Sequence, residues 1–472
     1  MPVGFGADRR QATRAVSAIA LISAVMFASA HHALGQEPVP RPLGRDVPVY
    51  TPALGEPPRE APQIQNPPGR VSLREAVALA LLQNPALAAF AWETRAREAR
   101  LLQAGRPPNP AISVLMEDFG ARQFAGGGLN EPIQSQATIQ LSQLVELGGK
   151  RAARQQLATF NRDLAAWDYE AARIEVLTQV SRAFTDVLAA QEMVAQIEQT
   201  TQLVEQVQQS VALRVVAGVV SPIEETRAGV ALGSVRVELA RARRGLEASR
   251  TRLALLWGSP TAAFAAVEGN LRQEPAPLPA LDTLTARLQQ SPELARWATE
   301  MSQREAAVRV ERSRGVPDIS IIGGYRRFTD VDANAFVVGA SISLPLFDKN
   351  RAGIQEAQSR LAKAHEERRS AEMRVAAALA DAYAELSSAY DEVAALRSTV
   401  LPGSQQAFEA VSEGYRLGRF GFLDVLESQR TLVTSGSQYL RALSDYYKAV
   451  ASVERLIGAP LNEGAGLSAP KE

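Results

Sequence analysis

Across 472 residues the sequence has no cysteine and only three histidines, His31, His32 and His365. Without cysteine there is no disulfide, no thiol nucleophile and no thiolate metal ligand. Three histidines, two of them adjacent near the N-terminus, are too few for a His-rich catalytic or zinc site in one copy. Beyond residue 30 the methionines are Met116, Met193, Met301 and Met373, scattered without ligand spacing. No metal site and no cofactor is therefore expected. An excess of one charge is missing as well: 51 basic and 51 acidic side chains cancel, which argues against nucleic acid as a partner. No clustered acid, base, nucleophile or phosphate-binding motif points to an enzyme. The run Gly126-Gly127-Gly128 precedes no helix and lacks the Lys-Ser/Thr pair of a P-loop.

Long hydrophobic runs are absent, with one exception. Ala15–Ala30 follows Arg9, Arg10 and Arg14 and ends in Ala28-Ser29-Ala30, the layout of an export signal over residues 1–30; cleavage as late as residue 35 is an alternative. At about 16 residues the run falls short of the ~20 that span a bilayer as a helix. No cysteine lies near it to carry a lipid. An exported chain without spanning helices is secreted, periplasmic or an outer-membrane barrel. Residues 31–70 read as an extended lead-in, since positions 38–68 hold ten of the 27 prolines.

Pattern begins at residue 71, where Ser72 and Glu75 have capping-box spacing. From there the chain repeats itself at a period of about 200 residues. Asn84-Pro85 recurs as Ser291-Pro292, Pro110-Ala111-Ile112-Ser113 as Pro317-Asp318-Ile319-Ser320, Ala217-Gly218 as Leu417-Gly418, and Trp257-Gly258-Ser259-Pro260 as Ile457-Gly458-Ala459-Pro460. The repeats span 71–272 and 273–462, with the Pro-rich stretch 275–279 as the hinge and 463–472 as a flexible tail.

Each repeat holds two segments of period two, which predicts a strand hairpin in 111–144 and another in 319–346. In the first, Ile112, Val114 and Met116 oppose Ser113 and Glu117, and the Gly-rich loop 120–132 joins the strands. In the second, Ile319, Ile321 and Tyr325 oppose Ser320, Gly324 and Arg326, with the turn around 329–334. Their lengths suit the ~9–11 residues of a tilted bilayer-crossing strand. The remainder predicts long helices over 150–258 and 351–458. Lys150–Val216 contains neither proline nor glycine, enough for one helix on the order of 100 Å. In the counterpart, Val375, Leu379, Tyr383, Leu386, Tyr390, Val393, Leu396 and Val400 keep coiled-coil spacing.

Four amphipathic strands cannot close a barrel, and an open edge cannot be left in lipid. If the hairpins lie in a membrane, several chains must pool them, and this reasoning does not choose three over two or four. A soluble periplasmic coiled-coil scaffold with the hairpins packed as a sheet is the alternative from another class.

The order helix, hairpin, long helix and helical turn, repeated twice over roughly residues 70–462, resembles the TolC family of outer-membrane factors. The most specific stretch is Glu413-Gly414-Tyr415-Arg416-Leu417-Gly418 followed by Phe422-Leu423-Asp424-Val425-Leu426-Glu427, similar to that family's turn at the periplasmic tip. Leu147-Gly148-Gly149-Lys150-Arg151 is similar to the branch serving cobalt-zinc-cadmium pumps. The resemblance implies a mainly α fold with membrane β-structure, in which a homotrimer pools four strands per protomer into a 12-stranded barrel set in outer-membrane lipid. A long α-helical barrel then projects into the periplasm. It also implies a passive efflux duct joined to an inner-membrane RND-type pump through a periplasmic adaptor, with divalent heavy metals as cargo; a duct for drugs or type I protein secretion would look alike. By position it assigns the acidic gate ring to Asp424 and Glu427, with Glu224 as the first repeat's equivalent. Acids in a helix's first turn also favour its dipole, so that role stands beside the gate. Gly218 and Gly418 are expected to permit the tip reversals, and the tips, Tyr415 included, to meet the adaptor.

Overall fold

The computed structural model describes residues 67–461 except 118–121, 126–127, 133–134 and 329–331. The export signal, nearly all of the lead-in, the tail and half of the second hairpin's turn lie outside the described residues. The elements come in the order β1 (Gly69–Ser72), α1 (Leu73–Gln83), α2 (Pro85–Ala104), β2 (Ala111–Glu117), β3 (Arg122–Ala125), β4 (Gly128–Pro132), β5 (Gln136–Val145), α3 (Lys150–Val216) and α4 (Pro222–Leu255). There follow β6 (Phe264–Glu268), α5 (Leu281–Arg287), α6 (Pro292–Arg314), β7 (Ile319–Phe328), β8 (Ala333–Ile342), α7 (Arg351–Ala395), α8 (Leu401–Arg416) and α9 (Phe422–Ile457).

The duplication is visible in the helix starts. Ser72 accepts the Glu75 N–H while Glu75 accepts the Ser72 N–H, closing the expected capping box. Asn84 accepts from Leu87 N–H and Ser291 from Leu294 N–H, each followed by a proline at the first helical position. Asn84 also donates Nδ2–H to the Leu256 carbonyl at 2.8 Å, tying α1 and α2 to the end of α4. Gly258 and Gly458 both end long helices in the left-handed region, φ 81° and 70°. No single described helix is long and apolar enough to cross a membrane; α1 and α2, bent by 46°, pass only as a pair. The buried residues Ala76, Leu79, Ala80 and Leu87 face protein instead.

The helix α3 runs unbroken for 67 residues, as its composition predicts. It packs against α4, α2, α6 and α9, while α9 packs against α7 and α8. The main core lies where these helices meet β6 and the chain between the repeats, around Phe184, Leu253, Trp257, Phe264, Leu284, Leu379, Leu386 and Leu443. The expected seam is buried at Val375, Leu379, Leu386, Val393 and Leu396 and half-buried at Tyr383 and Tyr390, but fails at Val400, which is 39% exposed. The cause is a single π-helical turn, Leu396–Val400: an extra residue in one turn rotates everything after it off the seam.

Two pairings were not legible. The first is parallel: β1 lies beside β6, Val71 opposite Val267. On α3, Gln191 accepts the Val267 N–H and donates to its carbonyl, supplying the bonds a further strand would make. The second falls in the expected loop 120–132, where β3 and β4 pair antiparallel. The Pro-rich connection is strapped rather than a free hinge. Tyr383 donates to the Pro279 carbonyl, Tyr447 to the Gln273 carbonyl, and Glu274 pairs with Arg397.

Candidate functional site

Two regions carry candidate function: the four-stranded sheet at one end and the helix tips at the other. The sheet has order β2-β5-β7-β8, wholly antiparallel, so the two hairpins join through β5 and β7. Register places Val114, Ile139, Tyr325 and Phe336 in one row and Ile112, Leu141, Gly323 and Val338 in the next. These rows form an apolar face open to the surroundings, Ile112 74%, Met116 70% and Val338 84% exposed. The opposite face carries Ser113, Gln140, Ser142, Ser320 and Ser341, with Glu117, Thr138 and Arg326 at its far end. Both outer strands, β2 and β8, have an unpaired edge within the protomer. An edge of free N–H and C=O groups beside an apolar face cannot stand alone in lipid.

The joints from strand to helix are polar and rigid. After β5, Gly148 and Gly149 take positive φ, and a Cβ on Gly148 would fall 2.6 Å from the Val316 side chain. Asp318, just before β7, accepts from Leu147 N–H at 3.0 Å and pairs with Lys150 Nζ at 2.7 Å. Burial alone would push the Asp318 carboxyl up. The hydrogen bonds from Lys150 and Leu147, with the charges of Lys150 and Arg154, outweigh that and hold it below its usual range. Arg154 also forks onto Glu146.

At the tips, Gly218 (φ 70°) and Gly418 (φ 73°) lie in the left-handed region between α3 and α4 and between α8 and α9. A small apolar cluster, Val211, Ala228 and Phe422, holds the two turns together. Tyr415 stacks on Phe422 with ring centroids 6.0 Å apart and receives the Arg214 guanidinium over its ring at 4.7 Å. Its hydroxyl is buried without a partner in the protomer. Phe420 lies against Gly414, where a Cβ would meet its ring at 2.2 Å. That contact explains the glycine before Tyr415, which the sequence alone did not.

The three predicted acids do not share one environment. Asp424 and Glu427 are exposed on the first turns of α9. Asp424 also accepts the Gly421 N–H at 2.8 Å, so it performs the helix-start role weighed above while keeping its exposure. Glu224 is half-buried, one turn before Ala228, with Oε2 buried and unpartnered. Beyond Glu427 a groove of about 920 Å³ opens between α3, α4 and α9, with Gln429, Arg430 and Arg441 along its α9 wall. Among the described residues, no three His, Cys, Asp or Glu side chains gather where a metal ion could be held.

The model of the outer membrane efflux protein family matches residues 76–259 and 284–459, once in each repeat. The cobalt-zinc-cadmium resistance protein CzcC of Cupriavidus metallidurans is 34% identical over 435 residues, 92% of this chain and 97% of that protein. The nickel-cobalt-cadmium resistance protein NccC of Alcaligenes xylosoxydans is 28% identical over 298 residues, 63% of this chain and 65% of that protein. Among solved structures, the channel-forming CusC superposes with a TM-score of 0.69 at 18% identity, covering 87% of this chain and 99% of CusC. At that identity the superposition speaks for the fold.

Proposed function

The chain belongs to the outer membrane efflux protein family, and we propose that it is one protomer of a homotrimeric exit duct for divalent heavy-metal cations. The observation that carries the assembly is the sheet. Its four strands have one exposed apolar face and two open edges, an arrangement that only further copies can complete in a bilayer. Three copies give 12 strands, and the helices α3, α7 and α9 continue as a tube on the order of 100 Å long. The metal cargo rests on the resistance proteins that the chain resembles over most of its length. An inner-membrane RND-type pump and a periplasmic adaptor complete the assembly, the adaptor meeting the tip turns around Gly218, Tyr415 and Gly418.

No bond chemistry is required of such a duct. Asp424 and Glu427, threefold repeated, would ring the periplasmic opening with carboxylates, the device by which channels attract cations. Glu224, half-buried with Oε2 covered, would contribute to the gate less openly than the two acids of α9. With no coordinating cluster among the described residues to choose a metal, selection in this reading falls to the pump and the duct is left permissive.

Fractionation tests the assembly: the protein is expected in the outer membrane and, in detergent, as a trimer. Recovery as a soluble periplasmic monomer would overturn it. Deletion of the gene is expected to lower tolerance to cobalt, zinc or cadmium; unchanged tolerance to all three would remove the cargo assignment.

A further inference from the structure

The polar face of the sheet ends in a charge lattice that neither the family match nor the tip geometry accounts for. Arg326 on β7 donates Nε–H to Thr138 Oγ1 on β5 at 3.0 Å and reaches across that strand to Glu117 Oε2 on β2 at 3.4 Å. Thr138 is fully buried beneath it. Glu117 and Arg326 lie near the hairpin tips, the end of the sheet away from the helices, because Glu117 closes β2 and its row partner Gln136 opens β5. Among the described residues of this face they are the only charged side chains; the remainder are Ser, Thr, Gln, Gly, Ala and apolar groups. The guanidinium is anchored rather than free, since its position is fixed by a hydroxyl on one neighbour strand and a carboxylate two strands away.

We propose that Glu117 sets the ion selectivity of the outer mouth, by neutralising a fixed ring of Arg326 that would otherwise repel cations. The inference rests on the trimeric duct reading, in which the polar face turns to the lumen and three copies of the lattice encircle the mouth. An arginine ring in a narrow passage is an anion filter. A duct for cations needs that arginine, which ties β5 to β7 and β2, without its field. A carboxylate a hydrogen bond's length or so away cancels the charge at lumen distances while leaving the strand tie in place. The charge on the described part of this face is thereby balanced, and the cation preference of the duct is left to the acids at the opposite end.

The absence of cysteine makes a clean test available in the assembled protein. Detergent-extracted Glu117→Cys trimer is reconstituted in planar bilayers, and the reversal potential is read in a KCl gradient before and after labelling. Loss of the carboxylate is expected to move the reversal potential toward chloride. A negatively charged sulfonate thiosulfonate reagent is expected to return it toward the wild-type value, and a positively charged ammonium reagent to move it further toward chloride. Arg326→Gln is expected to shift selectivity the opposite way, toward potassium, and serves where Glu117→Cys assembles poorly. Labelled and unlabelled channels with the same reversal potential as wild type, or an Arg326→Gln shift toward chloride, would overturn the proposal. Failure of every variant and of the wild type to form a trimer or conduct would instead strike the duct reading itself.

Discussion

Asp424 and Glu427 permit the charge of the proposed tip ring to be separated from its structural work. Asp424 both carries charge and accepts the Gly421 N–H at 2.8 Å, whereas Glu427 sits a turn further on and is exposed. Asp424→Asn keeps a carbonyl acceptor for that N–H and removes only the charge; Asp424→Ala removes both. At ~10 Å from the axis in bulk-water dielectric, one carboxylate attracts a divalent cation by about 0.8 kcal/mol before screening. Salt near 0.1 M, with a Debye length of about 10 Å, leaves roughly a third of that. Three copies then contribute about 0.9 kcal/mol, or about fourfold to fivefold in the constant for divalent block. Glu427→Gln and Asp424→Asn should each weaken block by that factor, and the two together by about twentyfold if the rings act independently. The assay is single-channel conductance titrated with cobalt from the periplasmic side. Asp424→Ala should add a loss of about 1 kcal/mol of helix-start stability, read as easier proteolysis at the tip. If Asp424→Ala weakens block and Asp424→Asn does not, Asp424 acts by shaping the start of α9. If neither Asp424→Asn nor Glu427→Gln moves the block constant, the acids do not line the constriction.

Three further outcomes follow from packing and charge elsewhere. Phe184 is fully buried at the centre of the main core, so Phe184→Ala should cost about 3–5 kcal/mol, seen as a lower midpoint in thermal unfolding of the extracted protein. Asp318 has a folded pKa below its ordinary 3.8, so its contribution is fully present above that value and is lost as pH falls through the folded pKa. Asp318→Ala should therefore destabilise by about 1–2 kcal/mol at neutral pH, discounted because the pair reaches solvent, with the gap to wild type closing below about pH 4. Val338→Arg, on the apolar face, should cost about 2–4 kcal/mol per protomer if that face meets the bilayer midplane. Ser341→Arg, on the opposite face, should assemble normally and alter conductance; equal trimer yields for the two would contradict the assignment of faces.

The sequence made the periodic parts of this protein legible and left the contacts between distant segments obscure. Lys150–Val216 could be read as one helix because nothing in it breaks a helix, and the capping box of Ser72 and Glu75 announced itself locally. Alternation put Glu117 and Arg326 on the polar side of their strands. It could not show that they meet over Thr138, a residue 188 positions from Arg326. The β1–β6 pair is invisible for the same reason: Phe264–Glu268 is short, and what makes it a strand is Val71 on one side and Gln191 on the other. Glu224 and Asp424 occupy equivalent positions and read alike, yet the first is half-buried with Oε2 out of reach of solvent while the second stays open. Burial of that kind is decided by a partner segment, and no local pattern carries it.

The two repeats differ in the helix that runs down to the tip. In the first, α3 reaches the tip as one helix of 67 residues without interruption. In the second, the descending helix is 45 residues long, passes through a π-helical turn at Leu396–Val400 and resumes with Pro402 in its first turn for a further 16. A π turn leaves the backbone ladder with a wider, poorer turn, and proline removes a donor from it, so this is where that descending helix can bend at least cost. The Pro-rich strap ends nearby, with Glu274 paired to Arg397 inside the π turn itself. Below that point lie α8, the Gly418 reversal and the open acids of α9; above it, Tyr383 and Tyr447 hold the strap to the core. In the duct proposed above, a movement at the tips would therefore bend the second repeat's descending helix at Leu396–Val400 before it bent α3, which has no such turn.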